Sequence, residues 1–284
     1  MTDRLRPLWD FDDLDASEER FRARLSLESS DDGRAEVLTQ LARVEGLRGD
    51  FDGGERLLQE AETLAGSSER AAVRIDLERG RILRSGGNPE AALPLFVAAY
   101  ERGKMAGDFY LAGDAAHMAA LAAGSREGMR EWAEKGVELA ESGDGSARYW
   151  LGPLLNNLGW DQFDAGEYEG ALETFEKALR AREADPENEA GIALARYAVA
   201  KALQALDRHA DAAAQLELAV AWTEAAGEPD GWFHEALADS CAALGRAAEA
   251  RVHAAIALPL LLEADPSFEA EGERATRLRE LANA

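Results

Sequence analysis

The chain of 284 residues is defined first by what is scarce in it. There is one cysteine, Cys241, so no disulfide can close within the chain, as in proteins of a reducing cytoplasm. Valine, isoleucine and threonine together number only 18, too few for a sheet or a sandwich, which draw on β-branched side chains. No apolar run approaches the roughly 18 residues that span a bilayer; the best, Ala254 to Leu262, is half that length. The opening MTDRLRPLWD has no apolar stretch of the secretory kind. Basic residues are outnumbered 31 to 55 by acidic ones, a net charge of −24 that repels phosphate backbones and argues against nucleic acid as a partner.

What is abundant is alanine, with 58 residues. Alanine is the best helix former, so the expected fold class is all-α. One segment shows how the helices are organised: LGWDQFDAGEYEGALETFEKALRAREADP, from Leu158 to Pro186. It carries Leu158-Gly159, then Gly166, Tyr168, Ala171, Phe175 and Ala178. That order resembles the tetratricopeptide repeat, a pair of antiparallel helices, in the longer form found in kinesin light chains. The resemblance implies a right-handed α-α superhelix.

One spacing tests whether the segment recurs. Gly159 and Ala171 are twelve apart, and the same offset joins Ala42 to Gly54, Gly80 to Ala92, Ala116 to Gly128, Ala200 to Ala212 and Ala238 to Ala250. Four residues past each second member stand Leu58, Phe96, Trp132, Phe175, Leu216 and Ala254. Seven past it stand Ala61, Ala99, Lys135, Ala178, Ala219 and Ala257. Between the helices lie Gly49, Gly87, Ala123, Gly166, Asp207 and Gly245. Small residues let paired helices approach, and the bulky residue one turn on is expected to fill the gap between neighbouring hairpins. About six hairpins follow, the third fitting least well.

Residues 1–33 read as a leader with a short helix, Ser17 to Leu25, and a linker, Ser26 to Gly33. Residues 34–264 read as the repeat body, and 265–284 as a C-terminal capping helix opened by Pro266. Turn signals between hairpins include Gly143-Asp144-Gly145-Ser146. No domain break is evident.

In proteins with this repeat the first helix of each hairpin lines a concave groove. On the repeat's register the groove columns contain Arg43, Arg81, His117, Trp160, Lys201 and Asp239, and beside them Asn156, Asn157 and Tyr197. The first-turn positions are Glu36, Arg74, Tyr110, Pro153, Leu194 and Trp232. Arginine forks pair with carboxylates, aromatic rings anchor, and asparagines hydrogen-bond a peptide backbone. The expected site is therefore peptide-binding: Arg43, Arg81, His117, Asn156, Asn157, Trp160, Tyr197 and Lys201. Its expected ligand is an extended, partly acidic segment of a partner protein. Ordinary solvation, or pairing of Arg74, Arg81 and Arg84 with Glu78 and its neighbours, explains the same arginines without a ligand. The carboxylate clamp of chaperone-binding domains is not matched: Asn157 occupies one of its positions, but Asp114, Pro153 and Ala198 do not complete it.

No catalytic or phosphate-binding motif occurs, so neither an enzyme, a cofactor nor a metal is expected. Asp114 with His117, and His234 and His253 with Cys241, are too few for a convincing metal set. The leader's WDFDD, Trp9 to Asp13, mixes aromatics with carboxylates. It can pack on the first hairpin, or lie in its own groove or another molecule's against Arg43 and Arg81. The reading is a cytoplasmic adaptor without catalysis and without membrane contact; the alternatives are a peptide-sensing regulatory receptor and a self-assembling scaffold such as a homodimer.

Overall fold

The structure, a computed structural model, describes residues 3–142, 145–186, 188–265, 267–268 and 272–284. Among these residues there are fourteen α-helices and no strand. The chain divides into two compact units, Met1–Leu154 and Leu155–Ala284, where the sequence shows no break.

In the N-terminal unit, one turn of 3-10 helix (Arg6–Leu8) precedes α1 (Leu14–Leu27). Three hairpins follow: α2 (Asp31–Arg48) with α3 (Phe51–Ala65), α4 (Glu69–Ser85) with α5 (Pro89–Ala106), and α6 (Phe109–Ala122) with α7 (Arg126–Ser142). A second 3-10 turn (Ala147–Trp150) leads into α8 (Leu151–Asp164), within which the division falls. The C-terminal unit pairs α8 with α9 (Tyr168–Glu183), α10 (Glu189–Ala205) with α11 (His209–Ala226) and α12 (Gly231–Ala243) with α13 (Ala247–Ala264), and ends in α14 (Glu273–Asn283).

Short polar side chains start these helices. Asp13, Ser30, Asp50, Ser68, Asn88, Asp108, Asn188 and Asp230 each accept a backbone N–H three residues on. Each such cap is worth about 1 kcal/mol. The expected linker is therefore too long: α1 runs to Leu27, Ser30 caps α2, and Gly33 lies inside α2. Of the expected cap, α14 is described, whereas Pro266 and the turn residues Gly143 and Asp144 lie outside the described residues.

Five of the six inter-helix positions have left-handed backbone: Gly49, Gly87, Gly166 and Gly245 at φ 72–85°, and Asp207 at 56°. Ala123, in the third hairpin, is extended at φ −63°. That different turn shifts the register of α7 by one residue. The buried positions are Ala133 and Gly136, not Trp132 and Lys135. Trp132 instead meets Tyr100 edge-on at 5.4 Å, with the Lys135 ammonium 4.3 Å over its ring.

The bulky residue one turn on packs differently from expectation too. A Cβ placed on Gly80 would sit 2.5 Å from the Phe96 ring, and Gly159 meets Phe175 in the same way. Each ring thus covers the glycine of its own hairpin. Both phenylalanines are fully buried. Separate apolar cores form in the two units: Leu5, Phe21, Val37, Leu41, Val44 and Ile75 in the N-terminal unit, and Phe175, Val199, Leu203, Leu216, Phe233 and Leu237 in the C-terminal unit.

Candidate functional site on the first helices

In the N-terminal unit the first helices α2, α4 and α6 carry charged residues inward, and the leader lies on them. Asp3 ion-pairs with Arg74 and, at 2.8 Å, with Arg70; Arg74 also reaches Glu36 at 3.2 Å. Burial would raise the Asp3 carboxyl, but Arg74, the Leu5 N–H and Arg70 outweigh it and hold it below the usual carboxylate range. Arg4 bridges Glu28 at 2.6 Å and Glu36 at 3.4 Å.

Two turns further along α4, Arg81 spans Glu78 at 2.6 Å and Asp114 at 2.5 Å. Burial alone would lower its pKa; the two carboxylates reverse that and raise it. Arg43 is 4.0 Å from Glu78 and lies over the rings of Trp9 and Phe11, at 5.2 and 5.3 Å. Those rings stack on each other at 4.7 Å, and the Trp9 indole N–H donates to Gln40 at 2.9 Å. The guanidinium of Arg43 is held below its ordinary pKa by burial and then by the like charge of Arg81. His117 lies 5.5 Å from the Trp150 ring.

Of the sequence-derived residues in this unit, Arg43 and Arg81 therefore already have partners. The arginine–glutamate pairing that competes with a ligand holds for Arg81 and Glu78. The leader's Trp9 and Phe11 meet Arg43, whereas Arg81 pairs with Glu78 and Asp114. Five contributors escaped the sequence reading: Asp3, Arg4, Arg70, and the pair of Arg6 and Tyr149, in which the Tyr149 hydroxyl accepts from Arg6 at 3.3 Å. The alternation of acid and base in TDRLR was the available signal.

The C-terminal unit is different. Trp160 sits edge-on to Phe163 and Phe175, at 5.3 and 5.1 Å, and 6.4 Å from Tyr197. Tyr197 stacks on Phe233 at 5.2 Å, and its hydroxyl pKa is pushed up to about 12 by burial and then by Glu235. Trp160 and Tyr197 are half-buried, so they serve as both core and wall. Lys201, one helical turn past Tyr197, makes no hydrogen bond or ion pair with the described residues, and burial lowers its pKa. The nearby carboxylates are occupied: Glu235 by Arg274 at 2.5 Å and Arg277 at 3.2 Å, and Asp239 by Arg277 at 3.0 Å. Asn157 keeps its amide Nδ2 buried without an acceptor, while Asn156 on the same helix is half-buried.

The remaining polar groups form no recognisable catalytic set. His234 and His253 share a hydrogen bond, Nδ1 to Nδ1, at 3.0 Å, and burial holds both below the usual imidazole pKa. Among the described residues no group of three histidine, cysteine or acidic side chains is arranged to hold a metal ion. No described helix is long and apolar enough to cross a membrane.

Comparison with known proteins gives the architecture a family. Residues 154–184 match the tetratricopeptide repeat model. The apo form of RapI superposes with a TM-score of 0.68 over 94% of this chain and 80% of its own, at 13% identity. Looser likenesses include a tetratricopeptide repeat protein from Parabacteroides merdae, with a TM-score of 0.46, 16% identity and coverage of 98% and 94%. Another is the TPR2AB domain of yeast Sti1 in complex with pHSP90, with a TM-score of 0.37, 16% identity and coverage of 87% and 98%. No curated protein sequence matches the chain. Residues 154–184 are thus a tetratricopeptide repeat, and the hairpins around them, with their left-handed turns, share the fold of RapI.

Proposed function

We propose that the protein is a non-enzymatic adaptor that holds an extended, partly acidic segment of a partner protein against the first helices of the C-terminal unit. The observation that carries this reading is a half-buried cation in a protein of net charge −24. Among the described residues Lys201 makes no hydrogen bond or ion pair, and the two carboxylates that attract it, Glu235 and Asp239, are already held by Arg274 and Arg277. An incoming carboxylate would give the ammonium a direct partner. The buried Asn157 amide offers a donor for a peptide carbonyl. Trp160 and Tyr197 supply rigid apolar surface with little rotamer entropy to lose on binding.

The test is selection of extended ten-residue peptides of graded acidity by the full-length protein. The wild type should enrich acidic peptides. Lys201→Glu should abolish that preference, and Tyr197→Ala should lower affinity for the enriched peptides about tenfold, or 1.4 kcal/mol. Peptide selection that ignores charge, or that survives Lys201→Glu unchanged, would defeat the reading.

A further inference from the structure

The leader of the N-terminal unit makes the contacts expected of a peptide ligand. Its Asp3 carboxylate is received by Arg70 and Arg74, its Leu5 side chain is buried, and its Trp9–Phe11 stack rests against Arg43. All of this takes place on α2 and α4, where Arg43 stands at the repeat position of Lys201 and Arg74 at that of Leu194 in the C-terminal unit. We infer that residues 3–11 are an occupant, held in cis, of a second peptide site, and that the site's partner in trans is a segment bearing a carboxylate and, some six residues later, an aromatic pair, with a helical turn between them like Arg6–Leu8. The inference rests on the reading that first-helix faces hold partner segments, and it adds which segment chemistry this face selects.

Two observations mark the leader as a replaceable occupant. First, its fit is incomplete: Arg43 Nε and Glu78 Oε2 are buried with no hydrogen-bond partner. A seat shaped solely for this leader would satisfy them. Second, the outer end of the leader is open to solvent. Phe11 is 42% exposed, and Asp12 and Asp13 are exposed as well. A competitor therefore has an edge at which displacement can begin.

A tethered segment competes at an effective concentration of order millimolar, so the wild type should hide the site from micromolar peptide. The probe is a fluorescent synthetic peptide of residues 1–13, titrated into the full chain. A full-length variant carrying Asp3→Ala, Trp9→Ala and Phe11→Ala should bind it at least about tenfold more tightly than the wild type. Adding Arg43→Ala should remove that gain, whereas Tyr197→Ala and Lys201→Glu should leave it intact. This last arm separates failure of the present inference from failure of the C-terminal site. A released variant that still melts cooperatively and binds the peptide no better than the wild type would overturn the inference.

The wild type provides a second readout that needs no substitution. The amides of Leu5, Leu8 and Trp9 should exchange hydrogen at least about tenfold faster than those of α2 and α4, through local opening. Exchange in step with α2 would make the leader an integral part of the core and overturn the inference. A wild-type dimer that Trp9→Ala dissolves would assign the seat to a second copy's leader and overturn the reading of a different partner.

Discussion

The first helices of the two units use the same positions for opposite purposes. In the N-terminal unit the first-turn position of α4 is Arg74, which is 3% exposed and locked to Asp3 and Glu36. In the C-terminal unit the corresponding position of α10 is Leu194, which is 53% exposed. One face is closed by compensated charge, and the other keeps half-buried aromatic rings beside an ammonium with no ion pair among the described residues. The repeat thus fixes where side chains point, while the residues at those positions decide which charges are neutralised within the fold. A buried guanidinium must have its counter-ions supplied by the fold, and the leader supplies one.

This contrast can be broken most sharply at that pair of positions. Arg74→Ala should cost about 3 kcal/mol, because Asp3 and Glu36 would lose their buried cation and keep only the more exposed Arg70 and Arg4. Leu194→Ala should cost less than about 0.5 kcal/mol, since little packing is lost at an exposed site. Urea midpoints of the two variants give the comparison; equal losses would contradict it.

The helix contact, by contrast, should be equally sensitive in both units. Gly80→Val and Gly159→Val each force a Cβ into a buried phenylalanine ring, so each should lose about 1–3 kcal/mol in thermal or chemical unfolding. A large difference between them would show that one hairpin relaxes more easily.

The turns give a smaller effect. Gly166→Ala, at φ 78°, should cost about 1–2 kcal/mol. Asp207→Gly, at φ 56°, relieves an unfavourable left-handed conformation and should leave stability equal or raised. The smallest effect belongs to the C-terminal unit's histidine pair. Burial depresses both pKa values in the folded state, so the unfolded chain binds protons more readily. Stability from this source is complete above the unfolded value near 6.5 and declines as pH falls below it. The urea midpoint should therefore drop between pH 7.5 and 5.5, and replacing both histidines with glutamine should flatten that slope.

The hairpins were legible because one constraint recurs at short range: two small residues twelve apart, separated by a left-handed position. Gly49, Gly87, Gly166 and Gly245 announce that position directly, and Asp207 is a side chain that tolerates it. The third hairpin was misread by one residue because Ala123 gives a turn of another shape, and Trp132 then drew the register to itself. The groove columns could be listed from the same spacing, but the state of each side chain could not. Whether Arg74 is free depends on Asp3, 71 residues away, and whether Lys201 is compensated depends on Arg277 at the far end. Such pairings are products of the folded arrangement and leave no local trace.

The contact between Arg6 and Tyr149 has an implication for biosynthesis, since 143 positions separate the two residues. Translation runs from the amino end, so all the residues between them must be added before the second of these groups exists. Throughout that interval the emerging first hairpins hold the leader without its outermost anchor, and a chaperone or cognate polypeptide in the cell would have its best opportunity to engage the nascent chain.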